Sequence, residues 1–315
     1  MFDKKRLKIE GREAIVLSGL GTYSLRDTLE CGQCFRHVLI EERDDGYVEY
    51  LTVVGNVLLT VAQRKVGELI LFGISDAEAE EVAIPYLAAA EDYAAITESV
   101  LAHSRSEFLS EAAAAASGIR ILRQQPWEAL FSFIVSQNNN IPRIKKIIRA
   151  LAAAYGRNLA IERGLHTCPC GKCATPCEDI CRECGICYTF PEASAVADAP
   201  ELMLPSHPGF RYKYLLDAAE RVSCGEIDLE KIASAASYGY TTESLMRIKG
   251  VGLKVAACTA LFGFGNLEAF PIDVWMKRAI DTYFGGTLDP AELGPYAGVA
   301  QQYIFHYIRI LNDKA

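Results

Sequence analysis

Short β-rich runs fill the first quarter of this chain, and helical patterns dominate afterwards. Short β-branched and aromatic runs, Tyr47 to Leu51 and Val53 to Val61, are broken by Asp44-Asp45-Gly46 and Gly55-Asn56, residues suited to turns. They predict an antiparallel sheet up to about residue 75. From Asp76 the spacing predicts helices over 77–102, 107–116, 127–136, 141–155, 212–222, 242–248, 253–264, 274–284 and 296–311. Strands first and helices afterwards define an α+β fold, not an alternating α/β one. The expected domains are 1–100, an antiparallel β-sheet domain with a helical tail, and 101–315, a helical domain with a cysteine-rich insertion at 166–189. No internal repeat is present.

At 315 residues, half of them hydrophobic, the chain has material for real cores and is too apolar to be disordered. No window of about eighteen apolar residues is free of charge, and no apolar stretch follows Met1-Phe2-Asp3-Lys4-Lys5-Arg6. An intracellular protein is expected, in the cytoplasm and nucleoid or in a nucleus. The net charge of −8 argues against a generic nucleic-acid binder, whose footprint is basic. Its distribution qualifies that argument. Between Arg120 and Arg149 lie Arg123, Arg143, Lys145 and Lys146 with Glu128 as the sole acid, so a local basic face on an acidic body is compatible with the sequence.

Thr241 to Ile248, then Lys249-Gly250-Val251-Gly252, then Leu253 onward read as helix, tight turn, helix. Gly250 and Gly252 permit positive φ and bring backbone amides close to a partner, and amides at a helix N-terminus suit a phosphate oxygen. Glycine also closes ordinary helical connections. Lys254 stands at the head of an apolar run from Val255 to Phe262, and Asp273 follows nineteen residues later in Phe270-Pro271-Ile272-Asp273-Val274. Two readings of each are open. The lysine either snorkels to solvent or is held where burial and the helix N-terminus favour a neutral, nucleophilic amine. The aspartate is a good N-cap, and a capped carboxylate can also stabilise positive charge developing on a sugar.

Lys249-Gly250-Val251-Gly252-Leu253-Lys254-Val255-Ala256 together with Pro271-Ile272-Asp273-Val274 resembles the helix-hairpin-helix DNA glycosylase superfamily. Four further segments resemble its 8-oxoguanine DNA glycosylase/AP lyase family, in family order from residue 32 to residue 305. They are Gly32-Gln33-Cys34-Phe35-Arg36, the stretch Ser136 to Ile144 containing Asn138-Asn139-Asn140, Gly209-Phe210-Arg211-Tyr212-Lys213-Tyr214, and Gly294 to Gln301. The resemblance implies a bifunctional enzyme of base excision repair acting on double-stranded DNA that contains an oxidised purine. It also implies a monomer that needs no cofactor for catalysis.

By the same resemblance Lys254 attacks the sugar, expels the base and forms a Schiff base that breaks the strand by β-elimination, with Asp273 assisting. The carbonyl of Gly32 reads the proton on N7 of 8-oxoguanine. Guanine has only an acceptor there, and the buried clash costs roughly 1 to 3 kcal/mol. Phe305 stacks on the flipped base, Cys258 packs on its other face, and Gln301, four residues before Phe305 on one helix, reads its pairing edge. Asn138 fills the gap, Phe210 is the wedge, and Arg143 and Arg211 bind the partner cytosine. Gly250 and Gly252 supply the amides of the DNA-binding hairpin. Phe210 replaces the tyrosine of familiar eukaryotic members, and Trp275 replaces their histidine. Core packing is the competing reading for Phe305 and Cys258. A glycosylase for another base, and a noncatalytic zinc-containing DNA-binding protein, are the alternatives.

Seven of the eleven cysteines fall between Cys168 and Cys187. In an intracellular protein such density favours metal over disulfides. The pairs Cys170/Cys173 and Cys181/Cys184 are the expected ligands of a structural zinc, with His166, Cys168, Cys177 and Cys187 in reserve. The link between the pairs is shorter than in common zinc ribbons, and a redox-sensitive or irregular insertion is the other reading.

Overall fold

Residues 2–104, 106–165, 167–170 and 185–313 are described by a computed structural model of the chain. Six strands form one antiparallel sheet: β1 (Asp3–Ile9), β2 (Arg12–Ser18), β3 (His37–Glu42), β4 (Val48–Val54), β5 (Val57–Gln63) and β6 (Glu68–Phe72), in the order β1-β2-β6-β5-β4-β3. Gly55, with φ of 57°, turns β4 into β5 at the predicted break, where Val54 pairs with Val57. Helix α1 (Leu25–Glu30) crosses from β2 towards β3, with Ser24 as its cap.

The helical tail expected over 77–102 is not one helix. It breaks into α2 (Asp76–Glu78), a π turn (Ala79–Ala83), α3 (Ile84–Tyr86) and α4 (Tyr93–His103). Pro85 lacks the N–H a continuous helix needs, Ala88 adopts φ of 50°, and the Asp92 side chain restarts the helix by accepting from Ala95 N at 3.1 Å. The later helices are α5 (Glu107–Ala116), α6 (Pro126–Ser136), α7 (Ile141–Tyr155), α8 (Leu159–Glu162), α9 (Ala193–Asp198), α10 (Tyr212–Ser223), α11 (Leu229–Ala235), α12 (Tyr238–Leu245), α13 (Leu253–Gly263), α14 (Val274–Tyr283) and α15 (Ala297–Asp313). Most lie within a few residues of the expected spans. Helix α12 begins earlier than expected because Ser237 caps it.

The central strands β4, β5 and β6 are buried on both faces, while β1 is exposed. One face, with Leu17, Tyr50, Leu59 and Leu71, packs on Leu25, Leu29 and Leu122. On the other, Leu51, Val53 and Leu58 meet Cys168, Cys170, Ile186 and Cys187 from the two ends of the insertion. A third cluster runs through the helices and includes Phe131, Ile134, Leu261 and Tyr303. Each such fully buried side chain contributes roughly 1.5 to 3 kcal/mol of transfer free energy. Helix α4 adds Tyr93, Ile96 and Val100 to this helical cluster, and Cys31 and Phe35 reach it from the segment before β3. That reach across the two cores is what carries Gly32 into the helical part of the molecule.

Candidate active site

The hairpin between α12 and α13 is built around Gly250. Its φ is 80°, and a Cβ there would lie 2.4 Å from the Tyr214 ring, so both conformation and space exclude a side chain. The Lys249 amide donates to Asp217 Oδ2 at 2.8 Å and the Val251 amide to Ile248 O at 3.1 Å. The amides of Gly250 and Gly252 carry no such bond among the described residues, and both glycines line a cavity of about 1050 Å³. These two are the hairpin amides expected to receive a phosphate, next to the first-turn amides of α13, which are also unbonded among the described residues.

Lys254 and Asp273 line the same cavity. Lys254, second residue of α13, is half-buried, with Nζ 5.7 Å from the Phe133 ring centroid. Asp273 is the cap of α14, its Oδ1 accepting from Met276 N at 2.8 Å. The two form no ion pair, so the aspartate is held by its helix and not by the lysine. A recess of about 60 Å³, the room of only a few water molecules, continues inward from the cavity. Gly32, Phe133, Lys254, Asp273 and Phe305 are shared by both spaces, and Cys258 and Gln301 belong to the recess. Burial pushes the Cys258 thiol up, with nearby Lys254 opposing and Asp273 reinforcing, so it lines the recess as a neutral thiol.

At the mouth of the recess Gly32 has φ of 91°, and a Cβ there would sit 3.7 Å from Phe305 Cε1 and 3.9 Å from Ile141 Cδ1. Backbone conformation, more than space, requires glycine. Gln301 is 5% exposed, and its Oε1 is buried with no hydrogen-bond partner among the described residues. A buried unpaired acceptor is costly unless something arrives to donate to it.

Asn138 lies on the cavity rim, exposed, with φ of 47°. Asn140 caps α7 by accepting from Arg143 N at 3.0 Å, and the Arg143 side chain is exposed. Phe210 is 49% exposed, beside Tyr214. Arg211 sits differently. It is 2% exposed and donates to the carbonyls of Gln137 and Asn138, which makes it a brace of the asparagine loop here. Burial, then Arg143 nearby, lower its basicity. Trp275 lines the cavity with Arg278 5.4 Å from its ring centroid.

Charge is divided as the acidic total requires. Arg143, Lys249, Lys277 and Arg278 form no ion pair among the described residues. On the sheet most cations are matched: Arg43 bonds Glu10 and Glu41, and Arg12 bonds Glu49. Four cations without a matched carboxylate thus stand near the cavity rim and the hairpin.

Sequence reasoning missed Phe133 and Lys277, which line the cavity, because an aromatic inside an apolar helix and a lysine on a polar face carry no distinguishing signal. Of the expected zinc ligands only Cys170 is described; Cys173, Cys181 and Cys184, with His166 and Cys177, lie outside the described residues. Among the described residues Cys168 Sγ is 3.0 Å from Cys170 Sγ and 3.9 Å from Cys187 Sγ, and all three are buried. Among the described residues no group of three or more His, Cys, Asp or Glu is arranged to hold a metal ion.

Comparison with known proteins agrees with this geometry. A profile described as "8-oxoguanine DNA glycosylase, N-terminal domain" matches residues 16–130. The N-glycosylase/DNA lyase of Saccharomyces cerevisiae is 31% identical over 172 residues, 51% of this chain; the match spans 40% of the yeast protein's length. The structure of MBOgg1 in complex with a low-affinity DNA ligand superposes with a TM-score of 0.80 at 33% identity, covering 99% of both chains. The Clostridium acetobutylicum 8-oxoguanine glycosylase/lyase, solved with double-stranded DNA containing cytosine opposite 8-oxoG, gives 0.78 at 28% identity, covering 99% of this chain and 98% of that one. The sheet-then-helix fold, the hairpin and these similarities together show that the chain belongs to the 8-oxoguanine DNA glycosylase/AP lyase family of the helix-hairpin-helix superfamily.

Proposed function

We propose that this protein is a DNA glycosylase with AP lyase activity that excises 8-oxoguanine, preferentially opposite cytosine, from double-stranded DNA. The observation that carries the reading is a single cavity joining Lys254, Asp273, Gly32 and Phe305 to an inner recess with Cys258 and Gln301. A flipped nucleotide entering that recess meets a nucleophile, a carboxylate, a carbonyl acceptor and an aromatic face.

In this reading the lone pair of the Lys254 amine attacks the sugar C1′, and the glycosidic bond breaks with its electrons leaving on the base. Asp273 offsets positive charge as it develops on the sugar. Ring opening gives a Schiff base between Nζ and C1′. Loss of a proton from C2′ then expels the 3′ phosphate, and hydrolysis frees the lysine. Gly32 O accepts from N7–H of the lesion, Gln301 reads the pairing edge, and the base lies between Phe305 and Cys258. The hairpin amides of Gly250 and Gly252 receive a phosphate, Phe210 wedges the duplex, and Asn138 occupies the gap. Arg143 binds the orphaned cytosine; Arg211 joins it only by exchanging its bonds to Gln137 and Asn138, and otherwise positions that loop.

No step uses a cofactor. The cysteine-rich insertion is proposed to hold a structural zinc, supported by the convergence of Cys168, Cys170 and Cys187 from its two ends. Zinc and iron both absent from protein purified under reducing conditions would remove that proposal. Domains 1–100 and 101–315, a monomeric state and a location wherever the genome lies belong to the same reading. Among the described residues no helix is long and apolar enough to cross a membrane.

Borohydride trapping on a duplex with 8-oxoguanine opposite cytosine tests the central step. Wild type is expected to give a covalent complex and Lys254→Gln none; a complex from the variant overturns the assignment. Asp273→Asn retains a side chain that caps almost as well but removes the charge. It is expected to stay folded and to slow base release by roughly 10² to 10³, the scale of one lost electrostatic contact in a closed site.

A further inference from the structure

Three successive carbonyls at the mouth of the recess are treated differently. Cys31 O accepts from Gln302 Nε2 at 3.2 Å, and Gln33 O accepts from Gln124 Nε2 at 2.7 Å. Between them, the carbonyl of Gly32 receives no hydrogen bond among the described residues. The Gln33 side chain is fully engaged as well: Nε2 donates to Thr28 O at 2.8 Å and to Arg120 O at 2.7 Å, and Oε1 accepts from Leu122 N at 2.8 Å. All three glutamines are at least nine-tenths buried. They come from three places: the segment itself, the stretch before α6, and α15.

A glycine at φ of 91° has several directions open to its carbonyl. Pinning the carbonyls on both sides removes that freedom. We infer that Gln302 and Gln124 are positioning residues for the lesion-reading carbonyl: they hold the flanking peptides so that Gly32 O alone stays unbonded and faces the incoming base. Gln302 lines the recess directly after Gln301, so α15 both reads the base and braces the backbone that reads it. Buried amides bonded to buried carbonyls form a stiff support, because breaking one leaves two polar groups unpaired away from water. The inference rests on the reading of Gly32 given above.

The test measures the affinity of Gln302→Met and Gln124→Met for three duplexes that differ at one position: 8-oxoguanine opposite cytosine, guanine opposite cytosine, and a tetrahydrofuran abasic analogue opposite cytosine. Methionine keeps the length of glutamine and removes the donor. The preference for 8-oxoguanine over guanine is expected to fall about tenfold in each variant, the scale of one imperfect buried contact. Affinity for the abasic analogue, which has no base to read, is expected to stay within about twofold. An unchanged preference overturns the inference, and so does an equal loss on all three duplexes, which marks a purely structural role. If one variant does not fold, the other decides. Wild type is measured first: if it shows no preference for 8-oxoguanine, the reading of Gly32 fails, a result distinct from failure of the brace.

Discussion

Gly32 and Gly250 both line one cavity, both adopt positive φ, and both lie where backbone meets ligand in the proposed reaction, yet they are made differently. At Gly250 the Tyr214 ring fills the space a Cβ would take, and the hairpin leaves two N–H groups unbonded. At Gly32 a Cβ meets only ordinary contacts, and the segment leaves a C=O unbonded. One glycine presents donors, suited to a phosphate that every nucleotide carries. The other presents an acceptor, suited to the one proton that separates the lesion from guanine. Grip and discrimination are thus assigned to opposite polarities of the same backbone, in segments far apart in sequence.

The largest effect is expected at Gly250→Ala. Overlap with Tyr214 and an unfavourable φ should cost about 3 kcal/mol of stability in urea unfolding, with DNA affinity falling equally for damaged and undamaged duplex. A lesion-specific loss would break the contrast. Gly32→Ala should cost about 1 to 2 kcal/mol, from φ alone, while excision of 8-oxoguanine falls far more than abasic-site binding. A smaller effect concerns the rim's anchor. His37 follows the Gly32 segment and meets Lys145 Nζ at 2.8 Å, and burial followed by Lys145 lowers its pKa to about 3. The unfolded chain therefore binds a proton near pH 6.5 that the native state refuses, so this contribution is full above that pH and is lost as pH falls towards 3. Between pH 6.5 and 5.5 wild type should lose roughly 1 kcal/mol more stability than His37→Asn. Equal slopes would show that the rim does not depend on a neutral imidazole. The smallest effect is that of Arg143→Gln, expected to reduce the salt slope of DNA binding by about one and to relax the preference for cytosine.

Much of this contrast was legible in the sequence, for local reasons. Gly-Val-Gly between helices, Asp273 ahead of an apolar helix and the change from β-rich runs to helical patterns near residue 75 each act within a few residues of themselves. What escaped is long-range. Gln302 reaches Cys31 from the far end of the chain, Phe133 is one apolar residue among many in α6, and Arg211 turns inward to Gln137 and Asn138 although its motif suggested a base reader. Cys168 and Cys187 stood in reserve behind better-spaced pairs, yet Cys168 lies against both Cys170 and Cys187, because spacing along the chain does not report which ends of an insertion are brought together.

The cysteine-bearing ends of the insertion rest on Leu51, Val53 and Leu58, so the sheet has no wet face there. A relative could not shed this insertion as a self-contained cassette. Deletion would leave a strip of β4 and β5 as bare hydrocarbon beside a row of strands, a surface prone to self-association. Gain or loss of the insertion therefore requires coordinated repainting of the sheet beneath it, and the polarity of those three positions should foretell, in any relative, whether the insertion is present.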